Sequence, residues 1–181
     1  MAEYITITTP VSRTMLQPLA CGQQVRLNGI LYTARDQAHR RMAQLLAGKK
    51  KLPFSLENQI IYYCGPNPAP AGRAVGACGP TTSGRMDAFT PALLSAGMAA
   101  MVGKGERSAA VIAAIRRHRA VYFATYSGCG ALLSQHVQAV RLVCFGDLGT
   151  EAVYAFAVRD FPLIVAVDAR GGNIYEQAGQ A

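Results

Sequence analysis

The chain has 181 residues, of which 51% are hydrophobic and 15% are charged. These values are typical of one compact globular domain, and they exclude a disordered tail. A chain of this length buries roughly 70% of its unfolded surface, so it needs no disulfide or structural metal in order to fold. Lysine and arginine number 18 against 10 aspartates and glutamates, a net charge of +8. Such a charge indicates an anionic partner. It does not distinguish a nucleic acid from an acidic membrane or a small polycarboxylate.

The cysteines and the first residues predict a soluble, cytoplasmic protein. The cysteines are odd in number, widely spaced and without a CxxC pair, which is typical of reduced, buried thiols; they are Cys21, Cys64, Cys78, Cys129 and Cys144. The opening MAEYITITTP lacks the basic and apolar regions of a secretion signal. No apolar run approaches the roughly 20 residues that cross a bilayer, so we expect no membrane partner.

Strands and helices are predicted to alternate along most of the chain. Polar and apolar residues alternate over 24–33 like a strand, and Thr33 and Asp36 are expected to cap a helix that ends at 44–47. Short β-prone runs follow at 59–63 and 73–78, around a turn rich in proline and glycine.

The second half continues this order and then changes it. Helical spacing over 84–96 is followed by a buried strand at 98–102, a helix at 108–118, a strand at 120–125 and a short helix at 130–135. Three further strands, at 140–145, 152–158 and 163–167, have no helices between them. The pattern predicts an α/β fold with a mixed sheet.

Three cations lie at or just before predicted helix starts: Arg35, Arg85 and Lys104. A helix N-terminus already carries partial positive charge, so a cation there is unfavourable unless an anion binds between them. Loops of this kind gather beyond the carboxyl ends of the strands, where ligands bind. Because arginine grips a carboxylate with two hydrogen bonds and lysine adds a compact charge, the pattern indicates a dicarboxylate site. The alternative is that each cation is an ordinary surface residue.

Several polar residues near these cations have two interpretations each. The GPTTS stretch at 79–83 either presents amides and hydroxyls to an anion or caps a helix. Thr81 or Thr82 accepts a proton only where neighbouring cations stabilise its alkoxide. His39 lies four residues after Arg35, on the same helix face, as a supporting or a purely structural residue. Asp87, like Glu151, either orients a cation or forms a surface ion pair, and the surface pair is favoured.

The GKG at 103–105 follows a strand and precedes a helix, but it is not a phosphate-binding loop. Five residues separate Gly97 from Gly103 instead of four, and Gly105 stands where serine or threonine would hold magnesium. The histidines and cysteines lack the spacing of metal ligands, so we expect no metal site on this chain.

Five stretches together resemble a known family. They are ARDQAH (34–39), YYCGPNPAPAGRAVGACGPTTSGRMD (62–87), VGKGERS (102–108), FATYSGCGALLS (123–134) and DLGTEAVYAFAVRDFPLIVAVDARGGNIY (147–175). In this order, and over nearly the whole chain, they resemble the β subunit, or C-terminal domain, of class I iron-sulfur fumarases and L-tartrate dehydratases. The resemblance implies a single swivelling β/β/α domain over 1–181.

The resemblance also implies a site. Arg35, Arg85 and Lys104 match positions that bind the substrate's carboxylates, and Thr81 matches the proposed catalytic base, with Thr82, His39 and Asp87 as supporting candidates. A 4Fe-4S cluster is expected on an α subunit, in an α2β2 assembly, and not on this chain. The implied reaction is reversible hydration of fumarate to L-malate, a tricarboxylic acid cycle step.

Other functions stay open at this point. L-Tartrate is an alternative substrate because the resemblance covers L-tartrate dehydratases as well as fumarases. Mesaconate is another, because one methyl group changes binding by only about 1 to 3 kcal/mol. A basic protein that binds nucleic acid or another anion is the alternative from a different class, suggested by the clusters at 40–41, 49–51 and 116–119. These clusters lack interleaved aromatic residues and any recognised motif for reading bases, so we expect no nucleic-acid partner.

Overall fold

The computed structural model describes residues 4–178, so the domain predicted over 1–181 extends three residues past the described range at each end. The strands are β1 (Ile5–Thr8), β2 (Gln24–Thr33), β3 (Ile60–Tyr62), β4 (Ala100–Gly103), β5 (Val121–Ala124), β6 (Val137–Cys144) and β7 (Val153–Val167). The helices are α1 (Arg13–Leu16), α2 (Asp36–Ala47), α3 (Thr90–Ser95), α4 (Ala109–His118), α5 (Gly130–Leu133) and α6 (Ile174–Ala178). Short 3-10 helices lie at Ser83–Met86, Ser134–His136 and Gly146–Glu151. No helix of this described range is long and apolar enough to cross a membrane.

The sheet is mixed and closes on itself. Strands β2, β3, β4 and β5 are parallel neighbours in that order. Strand β7 runs antiparallel to both β2 and β5, so hydrogen bonding passes around the sheet and returns to β2. Strands β1 and β6 are outer strands, paired with β2 and β7 respectively. All carboxyl ends of the four parallel strands therefore point to one end of the sheet.

Side chains that alternate along each strand fill two buried clusters. Ile60 and Tyr62 of β3 join the cluster enclosed by the sheet, whereas Ile61 joins the cluster under the helices. Met42 of α2 and Val111 of α4 belong to this second cluster, and α3 contacts both helices. Strands buried on both faces are apolar at nearly every position. One domain with a mixed α/β sheet is thereby confirmed.

Several predicted elements need correction. The run 73–78 is not a strand, because its backbone bonds to the turn at Asn67, with Gly76 N–H donating to the Asn67 carbonyl at 3.1 Å. The helix expected over 84–96 divides into the 3-10 helix and α3, since Pro91 lacks an N–H and fits only the first turn of a helix. Strand β1 and helix α1 were not predicted.

The last two predicted strands, 152–158 and 163–167, are one strand, β7. Asp160, which has φ of 50°, and Pro162 interrupt the apolar pattern and suggest a turn. The strand continues past them with an irregular register against β2, where the pairing shifts between Leu27 and Gly29. Such a bulge bends a strand without ending it.

Candidate functional site

The candidate residues lie in loops at the carboxyl ends of the parallel strands. Arg35 follows β2, and Lys104 directly follows β4. The loop that contains Thr81 is held over the end of β3, where Thr81 N–H donates to the Tyr63 carbonyl at 2.7 Å. The expected gathering of these loops at one edge of the sheet is therefore present in the structure.

Arg35 and Arg85 meet at a shared carboxylate. Arg85 Nε donates to Asp36 Oδ1 at 2.8 Å, and its Nη2 donates to Asp36 Oδ2. Arg35 Nε lies 3.8 Å from Asp36 Oδ2, and Arg35 Nη2 lies 3.8 Å from Glu151 Oε1. Burial raises the pKa of Asp36, but the hydrogen bond and charge of Arg85 outweigh it and hold this pKa below its usual value. Asp36 is thus a charged bridge, which the sequence pattern had indicated only as a helix cap.

The expected placement of the cations at or just before helix starts holds for Arg35 and Lys104 but not for Arg85. Arg35 is the N-cap residue of α2 and forms no side-chain capping hydrogen bond. Of the two expected caps, Asp36 is the first residue of the helix, and the Thr33 hydroxyl accepts from Tyr154 N–H at 3.3 Å. Arg85 lies in the last turn of the 3-10 helix. Lys104 precedes Ser108, whose hydroxyl caps α4 by accepting from Val111 N–H, as predicted.

The two adjacent threonines differ in their surroundings. Thr81 is half-buried, and its Oγ1 accepts a hydrogen bond from Arg85 Nη1 at 3.4 Å. Thr82 is exposed, and its backbone forms a bridge with Lys104. A cation beside a hydroxyl stabilises the alkoxide, so this geometry favours Thr81 over Thr82 as a proton acceptor.

Lys104 is joined to the same loop by its backbone. Its N–H donates to Ser83 Oγ at 3.0 Å, and its carbonyl accepts from Ser83 N–H at 2.9 Å. Its Nζ donates to the exposed Ser127 Oγ at 3.3 Å. Gly103 makes this contact possible, because a Cβ at this position would collide with Ser83 Oγ.

His39 is fully buried beneath Arg35. Its Nδ1 lies 2.9 Å from the Arg35 carbonyl, and since a carbonyl only accepts, Nδ1 carries the proton. Its Nε2 is buried without a hydrogen-bond partner in the described part of the chain. Burial lowers the pKa of His39 to about 4, helped by the charge of Arg107. A neutral imidazole therefore supports the backbone of Arg35.

The surface ion pair favoured for Asp87 is wrong, because its partner is inside the protein. Asp87 Oδ1 accepts from Arg107 Nε at 2.8 Å, and the Arg107 side chain is 0% exposed. Asp87 Oδ2 also accepts from Ser108 N–H at 2.6 Å. Sequence reasoning missed Arg107, although it stands in the GKGERS stretch.

A second correction concerns Cys129, which is exposed and not buried.

The described residues do not fit a metal cluster of their own. No group of three His, Cys, Asp or Glu side chains within residues 4–178 converges as metal ligands do. Burial raises the pKa of Cys64 well above its usual value and that of Cys78 to about 12, whereas a cysteine ligand must be a thiolate.

A family model described as Fumarase C-terminus matches residues 1–178. The chain belongs to this family. Fumarate hydratase 2 of Leishmania major is 36% identical over 167 residues, which are 91% of this chain and 29% of that protein. The anaerobic class I fumarate hydratase of Escherichia coli K12 is 36% identical over 156 residues, 85% of this chain and 28% of that protein.

A shorter relative matches over most of its own length. The putative L(+)-tartrate dehydratase subunit beta of Methanocaldococcus jannaschii is 39% identical over 171 residues, 91% of this chain and 88% of that protein. The chain thus spans less than a third of the two fumarate hydratases. The resemblance inferred from the motifs is confirmed, and the chain is a member of a hydro-lyase family.

Proposed function

We propose that this protein is the β part of a 4Fe-4S-dependent fumarate hydratase. The proposed enzyme is cytoplasmic, and it is active only when an α partner is bound. The observation that carries the proposal is the chain of contacts from Arg35 through Asp36 and Arg85 to Thr81, beside Lys104. Arg35 and Arg85 pair with the carboxylates of Asp36 and Glu151. Lys104 Nζ donates to the neutral Ser127 hydroxyl, so its positive charge is left over for an anionic substrate. The names of the relatives support fumarate first.

In this proposal the cations bind the two carboxylates of a C4 dicarboxylate. Asp36 engages Nε and Nη2 of Arg85 and so directs its Nη1 toward Thr81. Arg85 is 47% exposed and Arg35 is 25% exposed, so both are accessible to a ligand. Removing a proton from C3 of L-malate sends negative charge onto the adjacent carboxylate. Cations fixed at that carboxylate stabilise the transition state more than the ground state.

Thr81 is assigned the proton transfer. Its Oγ1, as an alkoxide held by Arg85 Nη1, takes the C3 proton of L-malate and returns it during hydration of fumarate. Thr82, His39 and Asp87 do not transfer protons in this assignment. Thr82 joins its loop to Lys104, His39 supports Arg35, and Asp87 holds Arg107.

The partner chain completes the site. Because the residues described here do not fit a cluster, the proposal places the 4Fe-4S cluster on the α chain, where it supplies Lewis-acid chemistry. We expect two copies of each chain in the assembly. This chain matches less than a third of each longer relative, and the proposal assigns the α part to the remainder of those proteins.

L-Tartrate is the second candidate substrate, favoured by the name of the archaeal relative that has nearly the same length. Mesaconate is a third, since it differs from fumarate by one methyl group. All three are C4-backbone dicarboxylates that the same cations would bind.

The test is anaerobic co-production with a cluster-carrying α chain, followed by turnover assays on fumarate, mesaconate and L-tartrate. We expect cluster-dependent hydration of fumarate. Thr81→Ala should lower kcat at least 100-fold with a smaller change in KM, because it removes the proton acceptor. Its matched control is Thr82→Ala, which should retain kcat within about threefold.

Selective turnover of L-tartrate or mesaconate would correct the substrate and leave the site in place. Equal losses in the two threonine variants would contradict the assignment of the base. No association and no turnover with a cluster-loaded α chain would instead favour a free-standing protein that binds anions.

A further inference from the structure

Arg107 occupies an unusual position for a cation, in the loop between β4 and α4. Its side chain is fully buried, and its guanidinium lies between two aromatic rings, 5.3 Å from the centre of Tyr63 and 5.0 Å from that of Tyr122. Buried cations are rare in proteins unless they are paired. The pairing partner is Asp87, which lies just after the 3-10 helix that carries Arg85.

The guanidinium joins four segments at the carboxyl end of the sheet. Besides binding Asp87, its Nη2 donates to Thr90 Oγ1 at 2.8 Å, at the start of α3. Its Nη1 lies 3.4 Å from the hydroxyl of Tyr63, which directly follows β3, and the Tyr122 ring belongs to β5. These contacts use the planar, forked shape of arginine as well as its charge.

Two cross-links therefore connect the loop of Thr81 and Arg85 with the loop of Lys104. One is the backbone bridge between Thr82 and Lys104, with Ser83 Oγ accepting from Lys104 N–H. The other is the Asp87 carboxylate, which binds Arg107 on one oxygen and Ser108 N–H on the other. The Arg107 side chain is 0% exposed and that of Asp87 is 15% exposed, so their contribution acts through the loops.

We propose that Arg107 is a positioning residue, which holds the loop of Lys104 against the loop of Thr81 and Arg85. Buried ion pairs contribute little net stability compared with apolar replacements, but in some proteins they select one geometry of the segments that they join. The proposal rests on the proposed function, because Arg107 would fix the relative position of the two loops that carry Arg85 and Lys104.

The test substitution is Arg107→Lys, which keeps the positive charge for Asp87 but loses the fork that binds Thr90 and Tyr63. Arg13→Lys is the matched control. Arg13 donates from Nη1 and Nη2 to the carbonyls of residues 97, 98 and 99, at the opposite end of β4. Both variants thus lose one arginine fork at an end of the same strand.

Two readouts are measured. In the assembled enzyme, Arg107→Lys should raise KM for fumarate at least tenfold and lower kcat per cluster at least tenfold, whereas Arg13→Lys should change neither more than twofold. In the full chain alone, amide hydrogen exchange at Ser83 and Lys104 should accelerate at least tenfold in Arg107→Lys, relative to the amides of β2. We expect no such acceleration in Arg13→Lys. We expect a second variant, Asp87→Asn, to change KM, kcat per cluster and the two exchange rates in the same directions as Arg107→Lys.

A merely stabilising role predicts a different result. It would lower the yield or Tm of Arg107→Lys while KM, kcat per cluster and the two exchange rates relative to those of the β2 amides stayed at their wild-type values, and that outcome overturns the proposal. Equal effects in Arg13→Lys overturn it too. Absence of turnover in the wild-type assembly counts against the proposed function, whereas hydrogen exchange still decides the positioning role.

Discussion

His39 shows how much a single residue contributes beneath the candidate site. Its ring Nδ1 and its backbone N–H both donate to the carbonyl of Arg35, each at 2.9 Å. Its ring also packs edge-on against Tyr63, with 5.1 Å between the ring centres. Two donors on one carbonyl fix the backbone from which the Arg35 side chain extends.

The same burial predicts sensitivity to acid. The pKa of His39 is lowered by burial from 6.5 to about 4, so the unfolded chain takes up a proton in this interval and the folded chain does not. The free energy of unfolding is therefore unaffected by His39 above pH 6.5 and falls by about 3 kcal/mol between pH 6.5 and pH 4. Denaturant unfolding across this interval measures the loss.

His39→Gln should remove that part of the pH dependence, because glutamine does not titrate. His136→Gln is the control, since His136 is partly exposed and its Nδ1 lies 3.0 Å from the Arg159 carbonyl. A wild-type and a His39→Gln profile that remained parallel from pH 7 to pH 4 would refute the prediction.

Single residues also mark the limit of what sequence reasoning predicts. Arg35, Arg85 and Lys104 could be selected as candidates because each lies in a short motif, ARDQAH, GPTTSGRMD and VGKGERS respectively. The bridging of two arginines by Asp36 and the burial of Arg107 were not, because both depend on loops that are distant in sequence and meet only in the folded chain.

At the scale of elements, the close contact between β4 and the 3-10 helix depends on a missing side chain. A Cβ on Gly103 would collide with Ser83 Oγ and come within 2.9 Å of Tyr63 Cδ2. Ser83 is buried, and its Oγ also bonds the Tyr122 hydroxyl at 2.9 Å and Lys104 N–H at 3.0 Å, so displacing it would disturb both contacts. Glycine at the end of β4 is thus required by the approach of the neighbouring segment.

We expect Gly103→Ala to displace Ser83 and with it the backbone bridge to Lys104. The free energy of unfolding should fall by about 1 to 3 kcal/mol, the range for overpacking, and fumarate turnover should fall at least tenfold. Gly84→Ala is the control, because a Cβ there meets only the Glu106 carbonyl at 4.0 Å. Similar losses of turnover in the two variants would contradict this explanation.

Periodicity predicted the regular elements and failed at the irregular ones. The alternation over 24–33 and the helical spacing over 108–118 correspond to β2 and α4, because one face of each is buried. The joining of two predicted strands into β7 was not predictable, since Asp160 and Pro162 are residues that usually mark a turn. The antiparallel pairing of β7 with β2, a strand distant in sequence, overrides that local preference.

On the scale of the whole molecule, two groups of exposed cations lie at the end of the sheet away from the candidate site. Helices α2 and α4 each follow a parallel strand and return along it, so their C-termini lie at the end away from the candidate site. Exposed cations follow there: Lys49, Lys50 and Lys51 after α2, and Arg116, Arg117 and Arg119 at the end of α4. Much of the net charge of +8 is therefore remote from the site.

We expect this remote charge to bind polyanions weakly and without sequence preference. Binding to mixed-sequence duplex DNA should weaken steeply between 50 and 200 mM salt, roughly as expected for counterion release. The double variant Arg116→Gln/Arg117→Gln should bind at least threefold more weakly and keep its fumarate turnover. Arg85→Gln should keep its DNA binding and lose fumarate turnover in the proposed enzyme. Tight binding of one DNA sequence at about 150 mM salt would contradict the prediction and revive the nucleic-acid hypothesis.

Strand β7 follows the other strands along the chain, and it pairs with β2, β5 and β6. While the protein is being synthesised, β2 emerges from the ribosome long before the strand that covers its second edge. An apolar strand with an open edge is a template for aggregation. The time taken to translate the residues between β2 and the end of β7 therefore sets how long that edge of β2 stays open during synthesis.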